Sequence, residues 1–172
     1  MENYRLEGKT FVIDDYDRLP AFSSFLPGLA GVKGIPMWTF YTNRGQGMNS
    51  FGIDNKGNAI MEFNSANTAF ENTTVKGFRT FLTIDGEYYE PFFKYEDDAK
   101  RQIRMNKNSF KVIERNEKYG IEITVNYYVL PNESIGALVR QVSIKNISGQ
   151  KKNIEIIDGL PKIITYGISN GE

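Results

Sequence analysis

The chain has 172 residues, 40% hydrophobic and 24% charged, enough for one domain with a sizeable core and too few for two ordinary ones. Its 21 Lys and Arg balance 21 Asp and Glu, so no net field draws it to nucleic acid or to an anionic membrane surface. Without histidine or cysteine, it has no Ser-His-Asp or Cys-His nucleophile, His-ligated metal, Fe–S cluster, zinc ribbon or disulfide, which leaves carboxylates, hydroxyls, Lys, Arg and backbone groups for any chemistry.

Alternation of apolar and polar residues predicts strands over residues 6–14, 35–41, 50–54, 59–63, 78–85, 88–93 and 110–116. Residues 15–34 and 64–77 lack clean periodicity and carry Gly, Pro, Asn and Ser. They read as loops, with a helical turn near residues 66–70. Asn55-Lys-Gly-Asn58 and Asp85-Gly-Glu87 have the composition of hairpin turns, because Gly and Asn tolerate positive φ. Further on, Ile121, Ile123, Val125, Tyr127 and Val129 fall on one side of a strand. Leu138, Arg140, Val142 and Ile144 form a second phase over residues 137–147, and Ile154 and Ile156 a third over residues 153–160. Short polar turns between these three predict a meander. No sustained amphipathic helix, internal repeat or low-complexity tract interrupts the pattern. About ten short strands over one domain's length predict an all-β, antiparallel β-sandwich or a barrel.

The first seven residues hold no apolar signal core, and no apolar run approaches the ~18 residues a membrane span needs. The simplest reading is a cytoplasmic protein with no membrane partner. Glycosylation-type triplets at Asn72, Asn132 and Asn146 are the chance product of an Asn-rich chain. Residues 158–172 are still apolar and strand-like where the sequence stops, so the chain reads as cut from a longer protein.

The densest candidate for chemistry is Trp38-Thr-Phe-Tyr-Thr-Asn-Arg-Gly-Gln-Gly47, an aromatic strand entering a loop with Asn43, Arg44 and Gln46 among glycines. Planar amides and a guanidinium fork suit vicinal hydroxyls or phosphate oxygens, and glycines let a ligand approach the backbone. The plainer alternative is a bulged loop whose Arg44 pairs with a nearby carboxylate. A dinucleotide fingerprint is ruled out because a strand, not a helix, follows the glycines. Arg140 lies in phase with Leu138 and Val142, so it needs a carboxylate, with Asp158 or Glu155 as candidates, unless it serves a substrate. Lys100, Arg101, Arg104 and Lys107 follow Glu96, Asp97 and Asp98 and read as a solvated edge strand rather than an anion site. Asp14, Asp15 and Asp17 lack the glycine and distal Glu of a calcium loop. Tyr88, Tyr89, Phe92, Phe93 and Tyr95 either stack on sugars or fill a core, and alternation favours the core for half of them.

Phe22-Ser-Ser-Phe-Leu-Pro-Gly-Leu-Ala-Gly-Val-Lys-Gly-Ile-Pro-Met-Trp-Thr-Phe-Tyr-Thr-Asn-Arg-Gly-Gln-Gly47 resembles the amino-terminal region of large bacterial glycoside phosphorylases, the cellobiose phosphorylase-like enzymes of the glycoside hydrolase family 94 type. Residues 50–63, Gly77-Phe-Arg-Thr-Phe81, Val129-Leu-Pro-Asn-Glu-Ser-Ile-Gly-Ala-Leu-Val-Arg140 and Asp158-Gly-Leu-Pro161 are similar to the same region. Met37 separates Pro36 from Trp38, where the compact cellobiose enzymes show a Pro-Trp pair. The look is nearer to the 1,2-β-oligoglucan type, with a β-1,3-glucan group as the neighbouring possibility.

The resemblance implies a galactose-mutarotase-like supersandwich, usually longer than this chain, placed before a helical linker and an (α/α)6 catalytic barrel. It implies reversible, inverting phosphorolysis of a β-linked gluco-oligosaccharide to a sugar 1-phosphate, with inorganic phosphate as co-substrate and no cofactor or metal. One carboxylic acid would protonate the leaving oxygen. In such enzymes that acid belongs to the barrel, so residues 1–172 are expected to contain no catalytic residue and to be inactive alone. Homodimer assembly and a contribution to the active-site entrance are implied for the sandwich. Asn43, Arg44 and Gln46, backed by Trp38 and Tyr41, are the expected substrate contacts. The alternative is a free-standing carbohydrate-binding or assembly module with no catalytic partner.

Overall fold

A computed structural model describes residues 3–52, 60–61, 64–93, 98–163 and 165. Among these residues twelve strands form three antiparallel sheets. The large sheet is built from β1 (Tyr4–Glu7), β2 (Thr10–Asp14), β8 (Ala99–Met105), β9 (Ser109–Asn116), β10 (Ile121–Val129) and β11 (Leu138–Asn146), side by side in that order. A second sheet has the order β12 (Ile154–Gly159), β6 (Arg79–Ile84), β7 (Glu87–Tyr89), and a third the order β3 (Ser23–Ala30), β4 (Ile35–Thr42), β5 (Met48–Phe51). The fold is an all-β, sandwich-like arrangement in which no sheet closes into a barrel.

Register explains which side chains are buried. The pairs Ile103 with Val112, Val112 with Val125 and Val125 with Val142 put one apolar row across the large sheet. Phe110 and Tyr127, also paired, stack at 4.6 Å. This face packs on Leu82, Ile84, Tyr89 and Phe92 from the second sheet and its following turn, with Tyr16 closing the cluster. On the third sheet β4 divides its residues between two layers. Tyr41 reaches Phe110 in the large sheet, with ring centroids 5.5 Å apart. Trp38 and Phe40 turn the other way onto Met48 and Ala69.

Four expectations need correction. Residues 64–77 hold more than a turn: α1 (Ala66–Lys76) is a full helix, capped by Ser65, whose hydroxyl accepts the Thr68 N–H at 3.2 Å. Its Asn- and Thr-rich sequence has weak propensity, so packing of Ala69 and Thr73 holds it. Residues 15–34, read as a loop, contain β3. Pro27 and Gly28 masked it, and β3 tolerates Pro27 because it is an edge strand. The last three strands are not one meander: β11 pairs β10, but β12 crosses over to β6. Finally, the basic run is not an edge, since β8 lies between β2 and β9, and although Lys100 and Lys107 are exposed as expected, Arg101 is buried.

The strand expected at 6–14 is a hairpin, turning at Gly8 with φ 60°. Asp85 and Gly86, both at positive φ, make the expected turn between β6 and β7. The 55–58 turn and most of the 59–63 strand lie outside the described residues. Among those described, no helix is long and apolar enough to cross a membrane.

Candidate functional site

The loop after β4 is held from every side. Thr42 Oγ1 accepts the Arg44 N–H and donates to the Arg44 carbonyl, which folds the backbone back on itself. Asn43 donates Nδ2 to the Leu19 carbonyl at 3.0 Å, while its Oδ1 is buried without a partner among the described residues. Among the described residues Arg44 finds no carboxylate. Its Nε and Nη2 both donate to the Phe70 carbonyl of α1, at 2.8 and 2.5 Å, and its guanidinium lies 3.8 Å over the Phe70 ring. Gly45 has φ 67°, and a Cβ there would stand 2.8 Å from Thr73 Cγ2, so glycine is required both by conformation and by the helix.

Gln46 is buried and enters a four-residue network. It donates Nε2 to Thr80 Oγ1 at 3.0 Å and accepts from Arg140 Nη2 at 2.5 Å. Arg140 also grips Asp158 with both ends of its fork, at 2.5 and 2.9 Å, and Thr80 donates to the same carboxylate at 2.6 Å. Of the two carboxylates considered for Arg140, Asp158 is the partner. The guanidinium is thereby satisfied at the seam between β11, β6 and β12. Beneath it Tyr127 accepts from Arg140 Nε at 3.2 Å, and its phenol is pushed up to about 12 by burial, against the opposing charge of Arg140.

A second buried cluster supports the loop from below. Glu114, fully buried, accepts from Arg101 Nε at 2.6 Å, from the Phe92 N–H at 2.7 Å and from the Tyr89 hydroxyl. Arg101 Nη1 donates to Asp17 at 2.9 Å. Phe92, a non-glycine residue at φ 64°, passes the constraint upward, because its carbonyl accepts the Gly45 N–H at 3.1 Å. Sequence reasoning missed this cluster. Arg101 and Glu114 are register partners in the apolar phases of β8 and β9, and two opposite charges in facing inward phases were the signal. The carboxylates of Asp14 and Asp17 are likewise turned onto cations, Arg5 and Arg101.

The free space near the loop is small. A gap of about 10 Å³ lies between Gly45, Thr73 and Phe92, room for at most one water. Larger openings lie elsewhere, among them a cleft of about 600 Å³ between the β1–β2 hairpin and the third sheet. Tyr4, Leu6 and Phe11 form one wall, Phe22, Ser24 and Tyr41 the other, and Lys9, Asn106 and Lys107 the end. Of the five expected substrate residues, Tyr41 lines this cleft; Asn43, Arg44 and Gln46 bond within the fold, and Trp38 packs toward α1. Of the aromatic run, Tyr89 and Phe92 are core residues and Tyr88 is exposed. No protein-family model matches the chain, and neither does any curated protein.

Proposed function

We propose that residues 1–172 are the accessory β-sandwich of an inverting β-glucan oligosaccharide phosphorylase, nearest to the 1,2-β-oligoglucan type, in which the catalytic acid lies on a downstream barrel. One observation carries this reading beyond resemblance of separate segments. Four of the segments that resemble the phosphorylase region, 22–47, 77–81, 129–140 and 158–161, each give one member of the network Gln46, Thr80, Arg140 and Asp158. Segments spread over more than a hundred residues thus meet at one seam, which supports reading them as one unit. The absence of histidine and cysteine is compatible with this chemistry, since inverting phosphorolysis needs a carboxylic acid and phosphate.

On this reading the sandwich supports the barrel and the homodimer. The loop at Asn43–Gln46 serves the active-site entrance as a rigid ledge, since the Asn43 Nδ2, the Arg44 guanidinium and the Gln46 amide all bond within the fold. The supersandwich assignment and a cytoplasmic location belong to the same proposal. The test is phosphate consumption by the full-length protein on a panel of β-1,2, β-1,3 and β-1,4 gluco-oligosaccharides. Consumption with one linkage supports the proposal, and none with any of the three removes it.

A further inference from the structure

The cleft beside the first hairpin has a lining that the phosphorylase reading does not use. Tyr4, Leu6 and Phe11 belong to the inward phase of the large sheet, because Tyr4 pairs with Ile13 and Leu6 with Phe11. Yet they are 43%, 71% and 39% exposed, since the third sheet does not extend over them. The rings of Tyr4 and Phe11 lie 6.2 Å apart and within 11° of parallel, which offers an ordered pair of aromatic faces rather than a disordered apolar patch.

The end of the cleft is charged in one sense only. Phe11 pairs with Met105 across β2 and β8, and Lys9 and Lys107 lie two residues beyond that pair, each in the turn next to it. Both line the cleft, and no Asp or Glu does. The nearby Glu7 carboxylate is taken by Arg5 and Arg104 on the opposite face. Neither lysine has an ion pair among the described residues. The turn that carries Lys107 is held by Asn106, whose Oδ1 accepts from the N–H groups of Asn108 and Ser109, at 3.2 and 3.0 Å.

We infer that this cleft binds a phosphorylated monosaccharide, the pyranose face lying on the Tyr4 and Phe11 rings and the phosphate between Lys9 and Lys107. A phosphate monoester is close to a dianion at neutral pH, which matches two ammonium groups with no acid beside them. The apolar C–H face of a pyranose suits the rings, and the Ser24 and Tyr41 hydroxyls on the facing wall suit its hydroxyl groups. The inference rests on the lining alone and stands or falls apart from the phosphorylase proposal.

Isothermal titration of the chain with glucose 6-phosphate and glucose 1-phosphate tests it, with glucose, inorganic phosphate and a fatty acid as comparison probes. One-to-one binding of a hexose phosphate is expected, at least ~10-fold tighter than glucose or phosphate alone. Lys9→Gln and Lys107→Gln should each weaken it by roughly 10-fold, and Phe11→Ala by a similar factor. All three positions are exposed, and an unchanged circular dichroism spectrum shows that the variants fold. No binding at millimolar ligand, equal binding of inorganic phosphate, tighter binding of the fatty acid, or indifference to the Lys9→Gln/Lys107→Gln double variant overturns the inference. None of these outcomes bears on phosphorolysis by the full-length protein.

Discussion

Glu114→Ala is the perturbation with the clearest consequence for this fold. The carboxylate has no exposure to solvent and serves three donors, Arg101, the Tyr89 hydroxyl and the Phe92 N–H. Truncation takes the Glu114 carboxylate from the Arg101 guanidinium, itself 3% exposed, and removes the acceptor of the buried Phe92 amide. Removing one member of a buried ion pair costs about 3–5 kcal/mol. For a chain of this size each kcal/mol moves Tm by ~2–4 °C, so the midpoint should fall by roughly 6–20 °C. Urea unfolding followed by circular dichroism gives the free energy directly. Hydrogen exchange at the Gly45 amide should also quicken, since the Phe92 carbonyl that holds it depends on the same anchor. Glu114→Gln, which keeps the shape and one acceptor, should lose less. A loss under ~1 kcal/mol for Glu114→Ala, with unchanged exchange at Gly45, refutes the reasoning.

Gly45→Ala should cost ~1–2 kcal/mol from the left-handed conformation alone, plus the clash with Thr73; urea unfolding within ~0.5 kcal/mol of the parent contradicts this. Arg44→Ala should lose about 1–2 kcal/mol with its two bonds to Phe70 and its place over the ring. In the full-length protein it should also weaken oligosaccharide or phosphate use, and unchanged kinetics with unchanged stability would discard both effects. At high pH the buried phenols set the limit. Tyr127 is raised from 10.0 to about 12 and Tyr16 is raised also, burial being the first cause in both. The native state therefore holds these protons more tightly than the unfolded chain. Their contribution is whole below pH ~10 and is lost as pH rises toward about 12. Phenolate absorbance should show the last of the ten tyrosines ionising only with unfolding; complete ionisation of a folded chain near pH 10.5 would contradict it.

Period-two alternation made β9, β10 and β11 legible, because along each strand the more buried residues alternate with the less buried ones. β3 was hidden for a local reason: Gly28 and Pro27 read as breakers, yet Gly28 lets the strand approach Val129, where a Cβ would stand 2.8 Å from Cγ1. β8 was legible as a strand but read as an edge because of its charges, since an inward Arg101 looks solvated until Glu114 faces it. The crossover of β12 to β6 has no signature within β12 itself; it is fixed by the partners of Asp158 on other strands. In the loop 43–46, the sequence marked residues with the right hydrogen-bonding capacity, but capacity does not say whether the partner is a ligand or the chain's own backbone. The cleft escaped notice because its parts come from residues 4–11, 22–41 and 105–107, which only the sheet register brings together.

The most direct test of the phosphorylase assignment is a phosphorus and proton NMR time course of the full-length protein with inorganic phosphate and a β-linked gluco-oligosaccharide. The account predicts that glucose 1-phosphate appears first as the α-anomer, matched mole for mole by a glucan one residue shorter, and that residues 1–172 alone produce none. Hydrolysis to free glucose without a phosphate ester, or a β-anomeric first product, would contradict it.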